Sequence, residues 1–247
     1  MTAPGGCRRS LCALLAAAAA AALAEPAPVG GTPIRKPARD SGATTALVVA
    51  ATQARAKPGL GRRPVRHVGT RTGWSRHAQR LLVLDSTRRG GRQWLKVLLA
   101  TRPNGTAGWI PRDNTVLEHT PYWIELRLRT RRLSVYRNGH LVRRFRAVIG
   151  ARRTPTPRGL AAIYERNPQP DPQGFLGPWA LSLTAFSKVL TNYGGGPGRV
   201  AIHGRGADSL RDPLGSARSH GCIRIDNARI RWLARHAAPG TPVRIRR

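Results

Sequence analysis

The 247-residue sequence predicts a mainly β protein made of two consecutive units, a small β-barrel and then a larger β-rich unit with one short helix near its end. Three observations carry that reading. Between about 45 and 118 the apolar residues come in short runs, the length of strands and too brief for helices. From Trp123 to Leu128 apolar and polar residues alternate, as in a half-exposed strand. Helical spacing appears only late, where Ile230, Leu233 and Ala234 recur at steps of three and four.

Ahead of both units, residues 1–24 read as an export signal. Arg8 and Arg9 make a basic start, Leu11 to Leu23 an apolar stretch, and Ala22-Leu23-Ala24 a small-residue cleavage site. That stretch, about 13 residues, falls short of the roughly 20 that span a bilayer, so a signal is expected and a membrane anchor is not. Residues 25–44 mix Pro, Gly, Ala and charge without an apolar period, which is the composition of a flexible linker.

The first unit, residues 45–118, places strands at Ala46 to Val49, Leu81 to Leu84, Trp94 to Leu99 and Gly108-Trp109-Ile110. Arg89-Gly90-Gly91 and Arg102-Pro103-Asn104-Gly105 supply turn chemistry on either side of the Trp94 run, so hairpins are the expected connections. Trp74, Trp94 and Trp109 are expected in the barrel core, with a ligand platform as the alternative. A tryptophan opening a strand, then Pro-Asn-Gly, then Gly-Trp-Ile resembles the SH3-like domains of exported bacterial wall proteins. The resemblance implies wall binding or shaping of a neighbouring cleft.

The second unit, residues 119–247, continues with Leu133 to Tyr136 and Leu141 to Ile149 around Arg137-Asn138-Gly139-His140. An Asn-Gly pair between alternating runs is the strongest short hairpin signal. Pro-rich loops follow at 154–158 and 168–178, then strands at Leu181 to Leu183 and at Arg199 to Ile202, the latter ending at His203. Asp226 or Asn227 caps the helix, Pro239-Gly240 ends it, and Thr241 to Ile245 forms a last strand. His140 falls in the hairpin turn, and His67, His77, His119 and His236 have no partner pattern. All five are expected in solvent.

The formal charge of +32 implies attraction to polyanions at low ionic strength. Export directs that attraction to anionic wall polymers or membrane surfaces, as a peripheral association, and argues against nucleic acid. Only four of the 43 basic residues are lysines, so a codon bias toward arginine is the competing explanation of the charge. Cys7 and Cys12 lie in the expected signal, which leaves Cys222 alone in the mature chain, unable to pair internally. An unpaired cysteine in an exported protein is either an intermolecular bridge or a thiol whose reactivity matters.

Two histidines stand near that cysteine. Ala201-Ile202-His203-Gly204 is followed, after 14 residues, by Ser219-His220-Gly221-Cys222-Ile223-Arg224. A thiol attacks as thiolate and is only a few per cent ionised at neutral pH unless a neighbouring imidazole takes its proton. His220, two residues away, shares a strand face with Cys222, and His203 could approach from the neighbouring strand. Gly221 would let a substrate carbonyl come close to main-chain N–H groups.

A histidine, some 15 residues, Ser-His-Gly-Cys and then an apolar and a polar residue resembles the signature of YkuD-type L,D-transpeptidases. The likeness spans about 120–246, including the Asn-Gly hairpin, the Thr154 to Gly159 loop and Ile202-His203-Gly204. It implies that Cys222 is the nucleophile and His203 its base, oriented by the carbonyl of Gly204. His220 and Ser219 shape the site, and the N–H groups of Gly221 and Cys222 receive the oxyanion. The family pattern often has Asn where Arg224 stands; arginine suits a bidentate contact with a substrate carboxylate, and an ion pair with Asp212 or Asp226 is its bland alternative. Trp179 is a candidate for the substrate groove or equally for the core.

The resemblance implies thioester transfer from a tetrapeptide stem of peptidoglycan with release of D-alanine, forming 3→3 cross-links, without metal or cofactor; a monomer is expected. Water in place of the acceptor amine would make the same site an L,D-carboxypeptidase. A zinc site of His203, His220 and Cys222, and a wall-binding protein with a dead site, are the alternatives from other classes.

Overall fold

The computed structural model describes residue 34 and residues 36–247. The expected export signal and half of the expected linker therefore lie outside the described residues. Among the described residues no helix is long and apolar enough to cross a membrane.

Seven strands form the first sheet: β1 (Ala43–Val48), β2 (Thr52–Arg55), β3 (Pro64–Val68), β4 (Arg80–Arg89), β5 (Arg92–Leu98), β6 (Ala107–Pro111) and β7 (Thr115–Thr120). Their hydrogen-bonded order is β3-β2-β6-β5-β4-β1-β7. β4 and β5 meet through Gly90 and Gly91, both at positive φ, with Arg89 opposite Arg92. That is the two-residue turn whose twist matches antiparallel strands. β2, β3 and β7 were not legible, because their apolar residues are few and scattered among basic ones. β1 starts at Ala43, inside the stretch read as linker.

The core of this sheet holds Val83, Leu95, Val97, Leu99 and Ile110. Trp94 is buried as expected and Trp109 is half-buried, but Trp74 is 76 % exposed, contrary to the expectation of a core residue. It sits in the loop between β3 and β4, where no strand register carries it inward.

The second sheet has eight strands in the order β10-β9-β8-β17-β12-β13-β14-β16. They are β8 (Tyr122–Arg127), β9 (Arg132–Arg137), β10 (His140–Arg146), β12 (Gly159–Pro168), β13 (Trp179–Phe186), β14 (Arg199–His203), β16 (Ile223–Arg224) and β17 (Pro242–Arg246); β11 (Ile149–Gly150) and β15 (Ala217–Ser219) pair separately. Asn138 and Gly139 both take positive φ between β9 and β10, the hairpin the sequence announces. The strand read as Leu141 to Ile149 is interrupted after Arg146, and its last residues turn to pair with β15.

One helix, α1 (Asn227–His236), is capped by Asp226, whose side chain accepts from the Arg229 N–H at 3.0 Å. It buries Ile230, Leu233 and Ala234 in the core of the second sheet, as their spacing requires. His236 is half-buried and not free in solvent as expected: its ring stacks on Trp232 at 4.2 Å and its Nδ1 bonds the Trp232 carbonyl at 2.7 Å.

A third cluster joins the two sheets, with Ala43, Leu82 and Leu98 of the first packed against Ala162 of β12. Asn104, in the expected Pro-Asn-Gly turn, donates to the Phe186 carbonyl and accepts from its N–H, both at 2.8 Å, as a neighbouring strand would. Arg102 donates to the carbonyls of Ser187, Leu190 and Pro197, so the turn also holds the loop that follows β13.

Candidate active site

β14 and β16 run parallel, with Ile202 opposite Ile223 and His203 opposite Arg224. Ile202 and Ile223 are fully buried in the core of the second sheet. Side chains alternate along a strand, so Ala201, His203, Cys222 and Arg224 take the opposite face. All four line one cleft of about 1040 Å³. The pairing of two strands far apart in sequence therefore brings His203 and Cys222 to one surface, and His220 joins the lining from the turn.

His203 is 1 % exposed, and its Nδ1 lies 2.8 Å from the Gly204 carbonyl. A carbonyl only accepts, so Nδ1 carries the hydrogen and Nε2 keeps its lone pair. Burial, helped by the positive charge of Arg224, lowers the His203 pKa to about 4 against the opposing pull of the Gly204 and Leu176 carbonyls. At neutral pH the ring is a free base. Burial also pushes the half-buried Cys222 thiol up, partly offset by a backbone hydrogen bond from Ala201 and by Arg224. Thiol and imidazole are thus both neutral at rest, because desolvation of both groups disfavours an ion pair.

The cysteine is held by its own turn. Ser219 is fully buried; its Oγ donates to the Cys222 carbonyl at 2.6 Å and accepts from the Gly221 N–H at 3.1 Å. Gly221 has φ +115, a conformation other residues rarely take. The expected Thr154 to Gly159 loop supports this turn from outside: Thr154 Oγ1 donates to the Ser219 carbonyl at 3.1 Å and Thr156 Oγ1 to the Gly221 carbonyl at 2.9 Å. At Gly204 a Cβ would lie 2.5 Å from Asn227 Oδ1 and 2.8 Å from Pro178 Cδ, so the turn after His203 admits no side chain.

His220 is exposed, its Nδ1 3.4 Å from Tyr193 Oη and its ring 5.4 Å from the tyrosine ring. Arg224 is 3 % exposed and bound through Nη1 to Asp212, with its guanidinium 4.8 Å from the centre of the Phe175 ring. Of the two aspartates considered for it, Asp212 is the partner, and Asp226 instead caps α1 and pairs with Arg229. Arg224 Nε is buried without a partner.

Trp179, a candidate for the groove, packs against the core of the second sheet and is not among the cleft-lining residues. The aromatic beside the imidazole is Phe175, 6.3 Å from the His203 ring. Phe175, Tyr193 and Glu165 also line the cleft and were missed in the sequence, since each comes from a loop or strand without a motif; Trp74, expected in the barrel core, lines it as well. Among the described residues no group of three or more His, Cys, Asp or Glu side chains is placed to hold a metal.

Residues 121–245 match the family model of the YkuD L,D-transpeptidase catalytic domain. The YkuD protein of Bacillus licheniformis is 31 % identical over 169 residues, covering 66 % of this chain and 92 % of its own. Among solved structures, an L,D-transpeptidase from Mycobacterium smegmatis aligns over 87 % of this chain and 99 % of its own, at 18 % identity and TM-score 0.42. An Enterococcus faecium L,D-transpeptidase with its cysteine changed to serine aligns over 65 % and 86 %, at 14 % identity and TM-score 0.39. The chain belongs to the YkuD family of L,D-transpeptidase catalytic domains.

Proposed function

We propose that this protein is an exported L,D-transpeptidase that joins peptidoglycan stems by 3→3 cross-links, with Cys222 as nucleophile and His203 as general base. The observation that carries the reading is the convergence of Cys222 and His203 on one face of the β14–β16 pair, inside the cleft. Such cross-links would serve cell wall biogenesis and the maintenance of cell shape.

In the first half-reaction Cys222 Sγ attacks the carbonyl carbon that links the third residue of a donor tetrapeptide to its D-alanine. His203 Nε2 takes the thiol proton as the C–S bond forms and returns it to the departing D-alanine nitrogen. Because both groups rest neutral, proton transfer accompanies attack. Gly221 N–H is already committed to Ser219 Oγ, so we assign the oxyanion to the Cys222 N–H. Ser219, Gly221 and Gly204 then act as positioning residues. Arg224, anchored by Asp212, offers positive charge to the donor's carboxylate at the cleft wall.

We read the seven-stranded sheet as an SH3-like module, residues 45–118, ahead of a catalytic unit, 119–247. The excess of arginine suits contact with anionic wall polymer. The test is incubation of purified muropeptides with the mature protein. Dimers that form with wild type and not with Cys222→Ala support the reading, and dimers formed by both contradict it. Hydrolysed tripeptide without dimers would favour the carboxypeptidase alternative.

A further inference from the structure

The cleft has a second wall that thioester formation leaves unused. Gly73, Trp74, Ser75 and His77, from the loop between β3 and β4, line it together with Glu165 and Asn167 of β12. The backbone of that loop is tied down. Gly73 N–H donates to Tyr164 Oη at 3.0 Å, and Trp74 and Ser75 N–H donate to Glu165 Oε1 at 3.4 and 3.1 Å. Ser75 Oγ donates to Asn167 Oδ1 at 2.7 Å. Burial would raise the Glu165 carboxyl, but the Thr72 hydroxyl, the Ser75 N–H, the Asn167 amide and the Trp74 N–H hold it below the usual carboxylate range. What this fixed backbone presents is an indole left 76 % exposed. Tryptophan gains more than most side chains from being covered, so an ordered loop that keeps one open at a cleft is built for a ligand.

Resting on the transpeptidase reading, we propose that Trp74 binds the second peptide stem, the amine-bearing acceptor that resolves the thioester, and that Glu165 positions its loop. Two stems must reach Cys222 in turn, and the first remains covalently on the β14–β16 wall while the second enters. The wall left open to the newcomer is the one carrying Trp74.

The acceptor's charge argues the same way. Its amine arrives as an ammonium at a chain of formal charge +32, past Arg199 and Arg224 in the same lining. Arg199 is occupied elsewhere, donating to the Leu183 carbonyl and lying 4.4 Å from the Tyr164 ring centre and 4.5 Å from that of Phe186. Among the described residues that line the cleft Glu165 is the only carboxylate, and an open indole face is a site for a cation. Once there the ammonium sheds a proton to solvent. The amine nitrogen attacks the thioester carbonyl, a C–N bond forms as the C–S bond breaks, and the nitrogen's surplus proton passes through His203 Nε2 to the leaving thiolate.

The experiment reads partition. The full chain is mixed with a tetrapeptide donor and a muropeptide acceptor, and the ratio of cross-linked dimer to hydrolysed donor is measured by mass spectrometry. Trp74→Ala is expected to lower that ratio about tenfold, the size of a partly desolvated cation–π contact, and Trp74→Phe to restore most of it. The side chain is exposed, so neither change threatens the fold. A ratio that stays at the wild-type value in Trp74→Ala overturns the proposal, including the case where only acylation slows. Wild type that never forms a thioester overturns the transpeptidase reading itself and this inference with it.

Discussion

The two histidines that line the cleft are held in opposite ways. His203 ends a buried strand, is 1 % exposed, and has one ring nitrogen fixed by the next residue's carbonyl. His220 sits in an exposed turn with a long contact to a tyrosine hydroxyl. The difference teaches why proximity in sequence is a poor guide to a base. His220 is two residues from Cys222, yet the ring with a defined tautomer is the one brought in across a parallel strand pair. A base must be held as well as near.

Replacing each ring sharpens that contrast most. His203→Ala is expected to lower kcat/KM on the order of 10³-fold or more, since it removes the proposed proton acceptor, whereas His220→Ala should cost about tenfold or less. Comparable losses in the two variants would break the comparison.

The buried ring also has a stability signature. The unfolded imidazole titrates near 6.5 and the folded one near 4, so between those values the unfolded chain holds a proton that the folded chain lacks. Stability from this residue is complete above pH 6.5 and is lost as pH falls toward 4, by roughly 3 kcal/mol. Urea unfolding across that window should show the slope in wild type and not in His203→Gln, while His220→Gln keeps it.

Smaller effects probe the scaffold on either side. Gly221→Ala should destabilise by about 2 kcal/mol from backbone strain alone, because its Cβ would meet only the Thr154 and Pro155 carbonyls, at 3.6 and 3.7 Å. Asp226→Ala, away from the cleft, should cost about 1 kcal/mol through the lost helix cap, read as a lower denaturation midpoint at unchanged slope.

Legibility followed locality. The Asn138-Gly139 hairpin, the Asp226 cap and the Ile230–Leu233–Ala234 face were readable because each signal lies within a few residues. The strand β14 ending at His203 was readable, but the tautomer set by Gly204 and the lowered basicity set by burial needed the fold. Trp74, expected in the barrel core, lines the cleft, and of the two places open to Trp179 the fold takes the core, since apolar character alone does not say whether a loop or a strand carries the ring. Glu165 was invisible: a ten-residue strand with mixed polarity carries it to a loop some 90 residues earlier, a contact no local pattern encodes.

Intact-protein mass spectrometry on mixing with a tetrapeptide donor in the absence of acceptor tests the central claim most directly. Wild type and His220→Ala should gain the mass of the donor less D-alanine on Cys222, while His203→Ala should remain unmodified over the same interval. Adduct formation that survives loss of His203 and fails with loss of His220 would contradict the account.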